Sequence, residues 1–120
     1  MNTRGVAILG STGSIGTTAL RVVSRHREKF HVTALTAHSN AALLAEQDDA
    51  FAPAYVGLVD GGEARRDEWH SGAACLIEAS TGADTDIVLN AVVGAAGLDA
   101  TLAALQIGRA SCRERVWRYV

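Results

Sequence analysis

A chain of 120 residues, of which 48% are hydrophobic and 20% charged, has the composition of a single globular domain with a buried core. No apolar run approaches the roughly 20 residues that span a bilayer, and a net charge of −2 with Lys29 as the single lysine offers no broad basic surface. We therefore expect neither a membrane protein nor a nucleic-acid-binding protein.

The N-terminus and the cysteines indicate a reducing compartment. The apolar stretch that begins at Val6 is too short for a signal-peptide core, and no small-residue cleavage site follows it. Cys75 and Cys112 are far apart and have no His or Cys neighbours, so free thiols are predicted rather than a disulfide or a zinc site. We expect a cytoplasmic protein.

The first half of the chain alternates short apolar runs with helical patterns, which is typical of a parallel α/β sheet. Strands are predicted at residues 6–9, 31–37 and 54–60. Asn40 is expected to cap a helix that continues to Phe51, and Pro53 to stop it before the third strand. An earlier helix is predicted from about residue 14 to 27, and its apolar face comprises Ile15, Ala19, Val22 and Val23.

The second half repeats this order less clearly. Residues 63–69 are predicted as a short helix and residues 73–78 as a strand. Residues 87–93 form another buried-strand pattern, followed by a glycine turn and by Leu98, Leu102 and Leu105 at helical spacing. The whole pattern predicts an α/β fold with a Rossmann-like, doubly wound, mostly parallel sheet.

The last 14 residues break this pattern. Residues 107–120 carry four of the eleven basic residues and show neither helical nor strand periodicity. Because IGRASCRERV is the translation of one frame of a common sequencing-library adapter, we interpret residues 107–120 as read-through of artificial DNA and residues 1–106 as the genuine domain. The alternative is a basic C-terminal arm. On the first interpretation the sheet is incomplete at its C-terminal end, and residues 88–93 are expected to stay partly unpaired.

Gly10, Gly13 and Gly16 lie between the first strand and the first helix, which is the context of a dinucleotide-binding fingerprint. Gly10 would allow a tight turn, Gly13 would let the backbone approach a pyrophosphate, and Gly16 would let the helix pack close to the strand. The alternative is that the glycines form only a tight turn.

Polar groups around the same loop favour an anion. Thr12 and Ser14 provide hydroxyl donors, and the N–H groups from Gly13 to Ile15 point along the helix dipole. The lysine that a Walker loop requires directly after Gly16 is missing, which excludes that class.

The end of the second strand bears on the choice between NAD and NADP. An acidic residue there accepts both ribose hydroxyls of NAD and repels a 2′-phosphate. The segment ALTAHSN, residues 34–40, contains no Asp or Glu, and His38, Ser39 and Asn40 are neutral or positively charged donors. We therefore predict NADPH, with these three residues on its adenosine side.

No catalytic and no metal-binding residue is predicted from the sequence. It contains neither an HExxH motif nor a defensible Ser-His-Asp or paired-carboxylate arrangement. Asp60 is interpreted as a turn residue, and the run EQDD at residues 46–49 as a solvated helix face.

Five motifs between residues 6 and 106 resemble the 1-deoxy-D-xylulose 5-phosphate reductoisomerase family: VAILGSTGSIGTTAL, ALTAHSN, the EQ of the second helix, FAPAY and AVVGAAGLDATLAAL. The resemblance implies an NADPH-binding N-terminal domain of a homodimeric enzyme in the non-mevalonate route to isoprenoids. The family rearranges the sugar phosphate on a Mg²⁺ or Mn²⁺ ion and reduces the product with NADPH to 2-C-methyl-D-erythritol 4-phosphate.

Site residues carry over from this resemblance position by position. Matches to the family's phosphate-binding loop are Thr12, Gly13, Ser14 and Ile15, and matches to its adenosine-side loop are His38, Ser39 and Asn40. Many members have Gly-Lys-Asn or an arginine-bearing segment in the second loop, where this chain has His-Ser-Asn. Residues 91–94 match the strand end near the nicotinamide.

The resemblance ends near Gln106. The family's Ala-Asn-Lys-Glu segment, its Asp and Glu metal ligands, its substrate-covering loop and its C-terminal helical domain have no counterpart in this sequence. The resemblance therefore implies that the chain binds NADPH weakly and is itself inactive.

Two other classes stay open. Semialdehyde and acyl-phosphate reductases share the Gly-x-x-Gly-x-x-Gly loop but need a catalytic cysteine, and Cys75 lies in an apolar run that predicts a buried strand. A stand-alone nucleotide-sensing Rossmann module needs no further domain, but it requires the Arg-rich tail to close the sheet edge.

Overall fold

Strands and helices alternate along the part of the chain that the computed structural model describes, which is residues 3–60, 66–92, 95–106 and 110–113. The strands are β1 (Arg4–Leu9), β2 (Phe30–Ala37), β3 (Tyr55–Leu58), β4 (His70–Ser71), β5 (Ile87–Asn90) and β6 (Ala110–Arg113). The helices are α1 (Ser14–Arg25), α2 (Ala41–Phe51), α3 (Ala74–Ser80) and α4 (Ala95–Gln106).

The strands form one parallel sheet in the order β4-β3-β2-β1-β5-β6. Strand β1 pairs with β2 on one side and with β5 on the other, and Ile8 lies opposite both Leu35 and Leu89. Strands β2, β3 and β4 are therefore added on one side of β1, and β5 and β6 on the other. The predicted Rossmann-like α/β sheet is confirmed, and its topological switch point is the crevice at the carboxyl ends of β1 and β5.

Two apolar clusters lie on opposite faces of the sheet. Along β1, Val6 and Ile8 belong to the cluster covered by α1 and α2, whereas Ala7 and Leu9 belong to the one covered by α3 and α4. Alternation along a strand sends successive side chains to opposite faces. Because both faces are covered, β1 reads as a continuous apolar run.

The predicted apolar face of α1 is only partly right. Val23 is buried, but Ile15 and Val22 are 36% and 50% exposed. The helix instead contacts the sheet through Gly16, Leu20 and Val23. These residues form one i, i+4, i+7 row, and the smallest of them lies where helix and strand approach most closely.

Helix α3 corrects the predicted strand at residues 73–78. Its buried residues are Cys75, Leu76, Ala79 and Ser80, a spacing that lies on one face of a helix. A short apolar run does not by itself distinguish a buried strand from a buried helix. Residues 63–65 of the helix predicted at 63–69 lie outside the described residues, and residues 66–69 are not helical.

Two of the leucines at helical spacing on α4 do not face the core. Leu98 and Leu102 are 45% and 49% exposed, whereas Ala100 and Ala104 are fully buried. A Cβ on Gly97 would lie 3.0 Å from the carbonyl carbon of Val92 and overlap its oxygen. Only small side chains fit this close approach, so the helix turns its alanines rather than its leucines to the sheet.

Strand β6 corrects a second expectation. Residues 87–90 of β5 pair along their outer edge with β6, in the segment that was predicted to lack strand structure. A parallel ladder is formed by backbone N–H and C=O groups, so an irregular Arg-rich sequence does not prevent it. Val93, at the end of the predicted unpaired stretch, lies outside the described residues.

Candidate functional site

The turn after β1 reverses the chain within a few residues. Gly10 has φ +81°, a left-handed conformation that favours glycine. The N–H groups of Gly10 and Ser11 both donate to the carbonyl oxygen of Thr36, at 2.9 and 2.8 Å. The turn is therefore fixed to the carboxyl end of β2.

Gly13 and Gly16 differ in what surrounds them. A Cβ on Gly16 would overlap the carbonyl oxygen of Gly10 and lie 2.6 Å from the Cα of Ser11, so no side chain fits there. A Cβ on Gly13 would meet only that same oxygen, at an ordinary 3.6 Å. The structure thus gives Gly16 the packing role predicted for it, and leaves Gly13 open on the solvent side.

The first turn of α1 has no side-chain cap. Gly13 occupies the N-cap position in extended conformation, with φ −79° and ψ 177°. The N–H of Gly13 donates to the Gly10 carbonyl oxygen at 3.2 Å. The N–H groups of Ser14 and Ile15 have no acceptor inside their own helix, and both residues are exposed. These donors and the positive end of the helix dipole therefore face solvent, as an anion site requires.

The residues predicted for the adenosine side lie on the next loop, between β2 and α2. His38, Ser39 and Asn40 are all exposed. The Oδ1 atom of Asn40 accepts a hydrogen bond from Leu43 N at 3.2 Å, which confirms the predicted cap of α2 and leaves only the amide nitrogen of Asn40 for a ligand. The His38 carbonyl accepts from the N–H of Asp60 at 2.7 Å, so the backbone of this loop is tied to the end of β3.

A cleft of about 550 Å³ brings the two loops together at the carboxyl ends of the strands. Gly10 and Gly13 line it from the first loop and His38 from the second. The other predicted site residues are not among its lining residues, although each lies within three residues of one of these three along the chain. Its volume lies within the range of small-molecule and cofactor sites.

Apart from Thr36, apolar side chains form the remaining walls of the cleft. Ala91 and Val92 follow β5, and they belong to the segment expected near the nicotinamide. Val59, Ala73 and Leu76 come from the end of β3 and the start of α3, and sequence reasoning missed them. Residues 73–78 had been interpreted as a strand, so nothing in the sequence placed Leu76 beside the glycine loop.

Gln47 is a second residue that sequence reasoning missed. The run EQDD was interpreted as a solvated face, yet Gln47 is 7% exposed and its side chain bonds to Ser11. Asp48 is also only partly exposed, and it accepts a hydrogen bond from Trp69 Nε1 at 3.0 Å. Helical spacing from the buried Leu44 would have put Gln47 on the inner face.

Asn90 fixes the chain where β5 leads into the cleft wall. It is fully buried, and its amide nitrogen donates to the Gly97 carbonyl and to Thr101 Oγ1. Its Oδ1 atom accepts from the N–H of Val92 at 3.0 Å. One side chain thereby joins the end of β5, the following loop and α4.

We expect Asn90→Ala to lower the free energy of unfolding by about 2–3 kcal/mol, because it removes all three hydrogen bonds from a buried position and takes the acceptor from the part-buried N–H of Val92. Urea unfolding followed by circular dichroism measures the change. The exposed substitution Gln106→Ala on α4 serves as the control and should stay within about 0.5 kcal/mol of the parent chain. An equally small change for Asn90→Ala would contradict the assignment.

Cys75 lacks the properties of a catalytic nucleophile. The side chain is 1% exposed and packs close to Gly57. Burial, helped by the negative charge of Glu78, raises the pKa of the Cys75 thiol to about 11. A reactive thiol needs a lowered pKa and access to solvent.

We therefore expect Cys75 to resist a thiol reagent such as DTNB. In a Cys112→Ser background at pH 8, about one Cys75 thiol in a thousand is ionised, so labelling of the folded chain should be at least a hundredfold slower than labelling in urea. Labelling at similar rates in both conditions would contradict the buried, inert thiol.

The described ranges contain no group of three or more His, Cys, Asp or Glu residues that could hold a metal ion. Within the same ranges, none of the helices has both the length and the apolar character needed to cross a membrane.

A doubly wound parallel sheet with an uncapped glycine turn at its switch point defines a dinucleotide-binding domain of the Rossmann class. The family model for 1-deoxy-D-xylulose 5-phosphate reductoisomerase matches residues 6–112, and the chain belongs to this family. The resemblance found in the sequence is confirmed, and the match extends six residues past its predicted end at Gln106. Family membership also overturns the semialdehyde-reductase alternative, in agreement with the burial of Cys75.

Individual relatives agree with this family. The chain is 43% identical over 113 residues to 1-deoxy-D-xylulose 5-phosphate reductoisomerase from Geobacter metallireducens, covering 87% of this chain and 29% of that protein. The same-named protein from Chloroherpeton thalassium is 46% identical, with 87% and 29% covered.

Solved structures agree as well. The reductoisomerase from Zymomonas mobilis in complex with NADPH has a TM-score of 0.84 and 33% identity, covering 94% of this chain and 32% of that one. A crystal structure of DOX-P reductoisomerase with NADPH, fosmidomycin and magnesium has a TM-score of 0.81 and 33% identity, covering 90% and 29%. The chain thus spans roughly 30% of the length of the relatives it matches.

Proposed function

We propose that this chain forms the NADPH-binding part of a 1-deoxy-D-xylulose 5-phosphate reductoisomerase. The observation that carries the proposal is the uncapped first turn of α1, whose N-cap residue Gly13 lines the same cleft as His38. The proposed reaction of the whole enzyme is isomerisation of the sugar phosphate on a Mg²⁺ or Mn²⁺ ion, followed by reduction to 2-C-methyl-D-erythritol 4-phosphate. NADPH supplies the hydride for that reduction when it is bound.

The residues present fit the phosphates of this cofactor. The open side of Gly13 leaves room for a pyrophosphate against the backbone. The N–H groups of Ser14 and Ile15, with the hydroxyl groups of Thr12 and Ser14, would bind its oxygens, because the helix dipole favours an anion at this end. Gly16 contributes by packing, which holds α1 close to the turn.

The residues on the adenosine side suit a 2′-phosphate. Segment 34–40 contains no carboxylate that would repel it. His38 and Ser39 are exposed and offer donors, and Asn40 keeps its amide nitrogen free while its oxygen caps α2. The apolar wall at Ala91 and Val92 would take the nicotinamide end.

Calorimetric titration of the purified chain tests the proposal. We expect saturable binding of NADPH, at least tenfold tighter than NADH, with the same Kd in MgCl₂ and in EDTA because no described residue group holds the metal. Added 1-deoxy-D-xylulose 5-phosphate should cause no oxidation of NADPH by this chain alone. A preference for NADH, or no binding of either cofactor, would contradict the proposal.

The remaining proposals concern the full-length enzyme. Related structures contain small-molecule ligands such as NADPH and fosmidomycin, which supports a small phosphorylated substrate. We propose a cytoplasmic homodimer that takes a sugar phosphate. Light scattering on the full-length gene product tests the dimer, and a monomeric mass would contradict it.

A further proposal concerns residues 107–120, which we interpret as translated adapter sequence. Its support is the string IGRASCRERV and the sudden rise in arginine content. Sequencing genomic DNA across the codon for Gln106 tests it. A reading frame that continues towards Ala-Asn-Lys-Glu would support the interpretation, and a genomic clone that encodes the same tail would contradict it.

A further inference from the structure

A buried pair of hydrogen bonds joins the glycine turn to helix α2. Ser11 Oγ donates to Gln47 Oε1 at 2.7 Å, and Gln47 Nε2 donates to the Ser11 carbonyl oxygen at 2.9 Å. Ser11 is fully buried and Gln47 is 7% exposed. The amide of Gln47 is therefore satisfied at both ends by a single residue of the turn.

These bonds determine which way a peptide group of the turn faces. In a trans peptide the C=O and the following N–H point in opposite directions, and the structure contains no cis peptide bond among its described residues. Because the Ser11 carbonyl points at Gln47, the N–H of Thr12 points away from α2. Thr12 is partly exposed and directly precedes Gly13.

The same bonds fix the distance between two parts of the site. Gln47 lies on α2, the helix that begins directly after His38, Ser39 and Asn40 and is capped by the last of them. Ser11 is also held by its N–H bond to Thr36 O at the end of β2. The glycine turn is thus attached both to the strand before the adenosine-side loop and to the helix after it.

We infer that Gln47 is a positioning residue of the dinucleotide site, which orients the Ser11–Thr12 peptide and sets the spacing between the pyrophosphate and adenosine loops. It does not touch the ligand. The inference rests on the proposed function, since it concerns the same NADPH site.

Two ligands separate positioning from general stability. NADPH contacts both loops, whereas adenosine 2′-monophosphate has the 2′-phosphate but no pyrophosphate. Gln47→Met keeps a similar side-chain length and removes both hydrogen bonds. We expect it to raise the Kd for NADPH about tenfold, as expected for losing about two hydrogen bonds that orient a binding loop, and to change the Kd for adenosine 2′-monophosphate less than about twofold.

Ser11→Ala is the milder second variant, because it keeps the bond from Gln47 to the carbonyl oxygen. We expect it to raise the Kd for NADPH about threefold and to leave the Kd for adenosine 2′-monophosphate nearly unchanged. In the Gln47→Met background it should cause no further rise in the Kd for NADPH, because the two residues act together. Glu46→Gln, at the exposed neighbouring position of α2, is the matched control and should leave both Kd values unchanged.

The outcomes separate this inference from the proposed function. If the parent chain does not bind NADPH, the proposed function fails and the inference fails with it. If the parent binds but the folded variants bind NADPH as tightly as the parent, or lose affinity for both ligands equally, only the inference is overturned. If Gln47→Met does not fold, the selectivity of Ser11→Ala decides in the same way.

Discussion

Gly16→Ala is expected to lower the free energy of unfolding by about 3 kcal/mol, a large part of the stability of a small domain. Its Cβ would overlap the Gly10 carbonyl oxygen and lie 2.6 and 2.8 Å from the Cα and carbonyl carbon of Ser11. These are backbone atoms, and hydrogen bonds to Thr36 hold the turn. Helix α1 would have to move away from β1.

Gly13→Ala provides the contrast. Its Cβ would meet nothing closer than 3.6 Å, and its φ of −79° suits any residue. We expect the fold to be retained at a cost of about 1 kcal/mol, because alanine is a poorer N-cap residue than glycine, while NADPH binding weakens at least about tenfold because the methyl group occupies the pyrophosphate side of the turn.

Urea unfolding and calorimetric titration measure the two effects separately. Ser24→Ala, at an exposed position of α1, is the control for helix substitution and should change neither quantity. A stable Gly16→Ala variant would contradict the close approach of α1 to the turn. Unchanged NADPH binding by Gly13→Ala would contradict a pyrophosphate at this loop.

His38→Asp is expected to reverse the cofactor preference. The substitution puts a carboxylate on the loop after β2, where it would repel the 2′-phosphate of NADPH and accept the ribose hydroxyls of NADH. We expect the Kd for NADPH to rise about a hundredfold, equivalent to about 2.7 kcal/mol, and the Kd for NADH to fall.

Two controls distinguish an effect at the position of His38 from an effect of net charge. His38→Asn removes the imidazole without adding charge, and should weaken NADPH binding by less than about tenfold. His26→Asp adds the same charge at an exposed residue just after α1, at the opposite end of that helix from Gly13, and should leave both Kd values unchanged. An unaltered preference in His38→Asp would show that this loop does not contact the 2′-phosphate.

Local signals in the sequence were enough to predict the order of strands and helices in the first half of the fold. The glycine turn, the Asn40 cap and the end of α2 were predicted because each depends on residues that are close together in the chain. The Oδ1 atom of Asn40 accepts from Leu43, three residues later. The predicted cofactor-site residues Gly10, Gly13 and His38 line one cleft because the parallel strands end at one edge of the sheet.

The sequence was insufficient where packing between residues far apart in the chain determines which side chains are buried. Hydrophobic periodicity marks Leu98 and Leu102 as one row of α4 without showing which row faces the sheet, and the close approach at Gly97 favours the small Ala100 and Ala104 there. Gln47 lay in a polar run, and its partner Ser11 is 36 residues earlier. Neither the space beside a sheet nor a distant hydrogen-bond partner can be read from local spacing.

Amide chemical shifts of the ¹⁵N-labelled chain during NADPH titration test the account most directly. We predict saturable shifts at Thr12, Gly13, Ser14 and Ile15, with a second group at His38 and Ser39, while His31 at the opposite end of β2 does not move. Saturation without shifts in the first turn of α1, or shifts centred elsewhere, would contradict the assignment of the glycine turn as the pyrophosphate site.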